Sequence, residues 1–350
     1  MNPIRLFQLV AQRLDGLALV LGLVFVGVAC SKDSTQAPQP VEFGYEFPAH
    51  FPPIRVPDDN HPTPERIALG KRLFFDPMLS KDRTVSCASC HHQELAFADN
   101  VPFSIGIRNQ KTLRNSMPLH NIGWHTSFFW DGGVRTLELQ TLAPIENPLE
   151  MDLPLTEAEQ RLREHPDYPA LFRQAYGREP DLFGLTRALA AYQRSLISAR
   201  SPYDRYLLGD SAALDADQKA GKEIFFSERA ECFHCHAGVL FSDFSFQNNG
   251  LYEVYPDSGR AVITGNPRDV GRFKVPSLRN VALTSPYMHD GSLPTLESVI
   301  DHYISGGRRH RNKSHFLRPF DLNENEKRQL IAFLHSLTDS EFITDPRHRP

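Results

Sequence analysis

The chain has 350 residues and a formal net charge of -4, with 38 basic and 42 acidic side chains scattered in both signs. That balance gives no support to a nucleic-acid partner, and the length suffices for two domains with cores of their own. Beyond the first thirty residues no apolar run is long enough to cross a membrane.

Residues 1–30 carry Arg5 and Arg13, then an apolar run from Leu17 to Ala29, then Cys30. This is the pattern of a secretory signal, and Gly27-Val28-Ala29-Cys30 resembles a lipobox, in which the cysteine is acylated. The expectation is an exported, periplasmic or outer-envelope lipoprotein whose one membrane contact is the lipid on Cys30. Residues 31–48 contain Ser, Gln and Pro without apolar periodicity, as a flexible tether would. Thr63 before Pro64 then starts a helix with Ile67, Leu73 and Phe74 on its apolar face.

Cys87-Ala88-Ser89-Cys90-His91 follows, and Cys232-Phe233-His234-Cys235-His236 repeats it. A C-x-x-C-H pentapeptide reads as attachment of a c-type haem, two thiols joining the porphyrin and the adjacent histidine reaching the iron. The chain has five cysteines and the two motifs use four, so no thiols remain for a zinc knuckle or for structural disulfides. Between the motifs, Glu157–Tyr176 and Leu182–Leu196 read as helices. Asp215 with Gln218 caps a helix ending in Ile224-Phe225-Phe226, and Asn323 with Glu326 caps a last one burying Leu330, Phe333, Leu334 and Leu337. The basic run Arg308-Arg309-His310-Arg311 with Lys313 reads as a solvated loop, or as a docking site for an acidic donor.

The pattern is duplicated. Leu69-Gly70-Lys71 before Leu73-Phe74-Phe75 recurs as Ala220-Gly221-Lys222 before Ile224-Phe225-Phe226. Asn121, Asp131-Gly132 and Thr136-Leu137-Glu138 recur as Asn280, Asp290-Gly291 and Thr295-Leu296-Glu297 at identical spacings. The expected fold is mainly α: two cytochrome-c-like haem domains from an internal duplication, with long loops, at 49–208 and 209–342, and a tail at 343–350. No alternating strands stand out.

Leu73-Phe74-Phe75-Asp76-Pro77, Phe129-Trp130-Asp131-Gly132, Asn147-Pro148-Leu149-Glu150-Met151 and Leu278-Arg279-Asn280-Val281-Ala282-Leu283-Thr284 make residues 50–340 resemble the bacterial di-haem cytochrome c peroxidases and their MauG-like relatives. The resemblance implies a peroxidatic haem on Cys87, Cys90 and His91 and an electron-transfer haem on Cys232, Cys235 and His236. It places Trp130 between them and a calcium ion on Asn115 and the backbone carbonyls of Thr284 and Pro286. It assigns Gln140, Pro144 and Glu150 to the distal pocket, with Glu150 moving the peroxide proton; Glu146 is its nearest competitor.

Two positions point to the MauG-like branch. Where many members carry a blocking histidine, this chain has Ile107, which leaves the first iron open unless His92, His120 or His125 replaces it. The usual second-haem methionine lies fourteen positions after the histidine of a Tyr-x-His-x-Gly segment, here His289, and Tyr303 stands there. A hard phenolate oxygen favours oxidised iron where a thioether favours ferrous iron; Met288 and His302 are the rivals. In the duplication Tyr303 aligns with Pro144, which has no ligating side chain. The expected activity is reduction of hydrogen peroxide with a cytochrome c or cupredoxin donor. The alternatives are peroxide-dependent oxidation of residues on a partner protein, as in MauG, and a di-haem electron carrier without chemistry of its own.

Overall fold

The computed structural model describes residues 47–350, which lie in one compact unit. The signal segment, Cys30 and most of the tether fall outside the described residues. Among those described, no helix is long and apolar enough to cross a membrane.

Two helix pairs organise the fold. Pro64–Phe75 packs on Leu182–Arg194, and Ala216–Phe225 packs on Glu324–His335. The first pair anchors a core that includes Leu73, Phe74, Phe97, Phe172, Leu189 and Tyr192; the second anchors Ile224, Phe225, Phe241, Leu330 and Phe333. Each pair meets at a glycine of the repeated Gly-Lys. A Cβ on Gly70 would lie 1.8 Å from the Ala188 carbonyl oxygen, and one on Gly221 would lie 1.8 Å from that of Gln329. Only glycine lets the backbones approach this closely.

The duplication continues into the loops. Asn121 and Asn280 share a left-handed backbone (φ +57° and +56°), each followed by a 3-10 turn, Ile122–Trp124 and Val281–Leu283. The bridge Phe128 to Val134 has its counterpart in Tyr287 to Leu293. Helix starts follow their caps: Thr63 Oγ1 accepts from the Arg66 N–H, and Asp215 with Gln218 and Asn323 with Glu326 form reciprocal capping boxes.

Two expectations change. The single helix over Glu157–Tyr176 is two, Leu155–Glu164 and Tyr168–Tyr176. Pro166 disfavours helical geometry at His165, whose ψ is 139°. A two-stranded antiparallel sheet pairs Phe246–Gln247 with Phe273–Lys274, too short for alternation to register. Past the last long helix, the Ser340–Thr344 helix and the turn Pro346–His348 return to the first core, which Phe342 joins.

Candidate functional site

Both C-x-x-C-H segments form one 3-10 turn, Cys87–Ser89 and Cys232–His234, and end on a histidine whose N–H bonds back to the first cysteine's carbonyl. His91 Nδ1 lies 2.7 Å from the Phe97 carbonyl oxygen, and His236 Nδ1 lies 3.0 Å from that of Phe241. A carbonyl only accepts, so Nδ1 carries the proton in each ring and Nε2 keeps its lone pair for a metal. Burial holds both imidazoles neutral, His91 down at about 4. Phe97 and Phe241 sit at φ +60° and +50°, a costly backbone for a bulky residue that turns the carbonyl toward the histidine. No disulfide joins any of the four motif cysteines. Burial pushes Cys87 and Cys232 up to about 12 and Cys90 and Cys235 up to about 11.

Beside the second motif lies a cavity of about 420 Å³, lined by Cys232, Cys235, His236, Tyr303, Met288 and Leu278 among others. That volume falls in the range of roughly 300–1,000 Å³ typical of cofactor sites, and two thiols with one neutral imidazole on its wall fit a c-type haem. Burial pushes the Tyr303 phenol up to about 12, against a hydrogen bond with Asn249 that pulls it down. The Met288 sulfur accepts from Asn249 Nδ2 at 3.1 Å, so both candidate ligands flank Asn249 in the same cavity. His302 is not on that wall; its Nε2 lies 3.0 Å from the Asn249 carbonyl oxygen.

On the first motif's side, Ile107 is fully buried and its N–H donates to the Glu150 carbonyl at 2.9 Å. Gly106 makes this possible, since a Cβ there would lie 2.0 Å from the Leu149 carbonyl oxygen. The Glu150 carboxyl is raised above the ordinary range by burial, with a 2.7 Å hydrogen bond from Asn147 Nδ2 as the opposing effect. Its charge adds a small upward push to the Cys87 and Cys90 thiols, beneath the larger effect of burial. Glu146 is exposed. Pro144 lies in the short Leu142–Glu146 helix and its carbonyl accepts from the Met151 N–H. Gln140 Oε1 is buried with no protein hydrogen-bond partner, a polar atom available to something the protein holds.

The histidines weighed as replacement ligands differ in their surroundings, and His120 Nε2 is buried without a hydrogen-bond partner. His92 Nε2 is 4.0 Å from Asp99, and His125 packs on Phe244 with ring centroids 4.5 Å apart. His120 is buried, with Nδ1 3.4 Å from the Ala96 carbonyl oxygen, and burial lowers it to about 4.

Between the motifs, the buried Trp130 donates from Nε1 to the Asn115 carbonyl at 2.9 Å, while the Asn115 N–H donates to the His289 carbonyl at 2.8 Å. Asn115, Thr284 and Pro286 border the same cavity as Trp130. The Asn115 amide nitrogen donates to the Val101 carbonyl at 3.0 Å. The sequence reading missed Lys274. It is 1 % exposed, its N–H donates to the Trp130 carbonyl at 2.7 Å, and its ammonium bonds the Ser127 carbonyl. Burial lowers it to about 7, against the pull of Asp131. A lysine inside an otherwise apolar stretch, Phe273-Lys274-Val275-Pro276, was the available signal.

Residues 64–212 match the family model described as di-haem cytochrome c peroxidase. The chain is 42% identical to methylamine utilization protein MauG of Methylorubrum extorquens over 80% of each chain, and 36% identical to cytochrome-c peroxidase IdrP1 of Pseudomonas sp. (strain SCT) over 93% of this chain and 92% of that one. A solved MauG-like protein associated with microbial copper homeostasis superposes with a TM-score of 0.83 at 39% identity, over 87% of this chain and 98% of that one. With two haem-attachment turns built alike and relatives similar over both halves, the chain belongs to the di-haem cytochrome c peroxidase family.

Proposed function

We propose that this chain is an exported di-haem c-type peroxidase. It reduces hydrogen peroxide at a haem held by Cys87, Cys90 and His91, using electrons relayed from a haem held by Cys232, Cys235 and His236. The observation that carries the reading is the pairing of Ile107 and Glu150. The first offers the iron no ligand, and the second is a carboxyl with a raised pKa on a segment whose backbone carbonyl accepts from the Ile107 N–H. The bound haem supplies the redox chemistry. The protein's part is to position peroxide and move its proton. Glu150, poised by burial and oriented by Asn147, takes the proton from the near oxygen and returns it to the far one. Gln140 Oε1 accepts a hydrogen bond from the bound peroxide, and Pro144 leaves room above the iron. Tyr303 would hold the second iron, Trp130 would relay electrons between the haems, and Asn115 with the carbonyls of Thr284 and Pro286 would hold calcium. Cys30 carries the lipid that tethers the protein in the periplasm or outer envelope.

The donor in this reading is a small cytochrome c or cupredoxin. A second reading, oxidation of residues on a partner protein, is favoured by Tyr303 in place of methionine and by 42% identity to MauG. Absorption spectra of the ferric and ferrous protein, with and without peroxide, test the proposal. High-spin ferric signal from one haem that responds to peroxide and cyanide is expected. Two low-spin haems inert to both would mark an electron carrier instead.

A further inference from the structure

The two copies share the histidine-to-phenylalanine carbonyl device but differ in what holds it. In the second copy, Phe241 packs inside its own core, with ring centroids 5.2 Å from Tyr203, 5.9 Å from Phe225 and 6.1 Å from Phe333. Arg279 also donates from Nε to the Val239 carbonyl at 2.6 Å, fixing the loop after His236 from behind. In the first copy the residue aligned with Arg279 is His120, and the chain's own end supplies the missing support.

We propose that residues 339–350 form a strap that positions His91 by clamping the 92–98 loop. Its anchor is Asp339, 1 % exposed, whose Oδ2 accepts from Ser198 Oγ and from the Ala199 and Arg200 N–H groups, and whose own N–H donates to Asn280 Oδ1. Its Oδ1 caps the Phe342 N–H at 3.0 Å and so starts the Ser340–Thr344 helix in a fixed direction. The Phe342 ring then lies 5.8 Å from Phe97, the residue whose carbonyl holds His91, and 6.5 Å from His120. The His348 ring closes on Phe97 at 6.2 Å from the other side of the strap's turn.

Polar contacts fix the register. Gln93 Nε2 donates to the Phe342 carbonyl at 3.1 Å and to the Asp345 carbonyl at 2.8 Å, so the residue two positions after His91 is tied to the strap twice. Tyr192 and Lys71, on the first helix pair, donate to the carbonyls of His348 and Arg347. The strap thus reaches from a junction shared with Asn280 of the second copy to the back of the first copy's histidine.

The inference rests on His91 being the first haem's proximal ligand. The hydrogen bond from Nδ1 makes the imidazole a stronger donor to iron, and loss of such a partner commonly costs on the order of 10- to 100-fold in affinity or activity. Phe342 and Gln93 are therefore positioning residues: neither touches substrate, and both act through the Phe97 carbonyl.

The test uses the full-length protein loaded with both haems. Phe342→Ala removes the packing, and Gln93→Leu keeps the volume while removing both donors, so one variant remains informative if the other folds poorly. Resonance Raman of the ferrous protein reads the iron–histidine stretch, and a redox titration reads each haem separately. In both variants the first haem's stretch shifts to lower frequency and its midpoint potential rises, the second haem stays at wild-type values, and the reaction with peroxide slows about tenfold. Folded variants that keep wild-type stretch and potential at the first haem overturn the strap's role. A wild-type stretch that His91→Ala leaves in place overturns the ligand assignment, and the inference with it.

Discussion

Gly106→Ala is the sharpest perturbation of the distal side that leaves every proposed reacting group unsubstituted. Gly106 has φ −89°, which alanine adopts freely, so the effect is steric. The new methyl would lie 2.0 Å from the Leu149 carbonyl oxygen, 2.7 Å from Glu150 Cα and 2.8 Å from the Glu150 carbonyl oxygen. All three are backbone atoms, so no side-chain rotation relieves the clash. Restoring a contact of 3.4 Å requires the 106–107 and 149–150 segments to separate by about 1.4 Å. That breaks the bond from the Ile107 N–H to the Glu150 carbonyl. Overpacking costs about 1–3 kcal/mol and the lost hydrogen bond about 1 kcal/mol, so urea unfolding should show a loss of roughly 2–4 kcal/mol. An ångström of misplacement at a reacting group is worth as much as about 100-fold in rate. Stopped-flow mixing with peroxide, followed at the Soret band, should therefore show a slowing of at least about tenfold beyond any loss of haem. A variant with wild-type unfolding midpoint and peroxide rate would refute the view that this close approach holds Glu150 in position.

Three further outcomes are expected. The Glu150 carboxylate is the form that takes a proton, and its pKa is raised, so the peroxide rate should fall as pH drops through that raised value. Asn147→Ala, by removing a bond to the charged form, should move this acid limb to higher pH, and Glu150→Gln should abolish it; a limb that moves downward in Asn147→Ala contradicts the assignment. Tyr303→Phe should raise the second haem's potential by on the order of 0.1 V, within the roughly 0.8 V that axial ligands span, and Tyr303→Met should raise it further. An unchanged potential in Tyr303→Phe would make Met288, beside the same Asn249, the ligand. Arg279→Met leaves the buried Asp204 without its bidentate partner at 2.7 and 2.8 Å, which should cost about 3–5 kcal/mol by urea unfolding, with part regained on adding Asp204→Asn.

What the sequence made legible was local. The haem motifs, the capping boxes at Asp215 and Asn323 and the paired Gly-Lys segments each carry their signal within a few residues, because the geometry that needs them spans one or two turns. The resemblance assigned roles to Gln140, Glu150, Trp130 and Asn115, but the contact that holds the Glu150 backbone against Ile107 is the approach of Gly106 to Leu149, between segments about forty residues apart in the chain. Lys274 and Asn249 escaped for the same reason. Each acquires its meaning from a partner in another segment: the Trp130 carbonyl for Lys274, and Met288 and Tyr303 for Asn249. Residues 343–350 read as a tail because their few apolar side chains form no periodic face; Gln93, which donates to the Phe342 and Asp345 carbonyls, lies 249 and 252 positions earlier in the chain.

The duplication also explains how the two copies meet around Asn115. Trp130 and His289 occupy equivalent places in the two copies, each just ahead of a repeated Asp-Gly. The copies dock through these equivalent loops: the Trp130 indole and the His289 carbonyl both bond to the backbone of Asn115, one to its carbonyl and one to its N–H. Gly291, in the second of these loops, would bring a Cβ within 2.5 Å of Pro102 in the first copy. Had the copies stayed identical, two tryptophans or two histidines would face each other across Asn115. Instead one side presents an oxidisable indole and the other an imidazole stacked on Phe273 at 3.7 Å. In the proposed function, the same divergence would leave Pro144 at an open iron and Tyr303 at a ligated one. A symmetric ancestor supplies two equivalent attachment turns; in the proposed function, the unequal substitutions at matched positions are what would give electrons a direction between the haems.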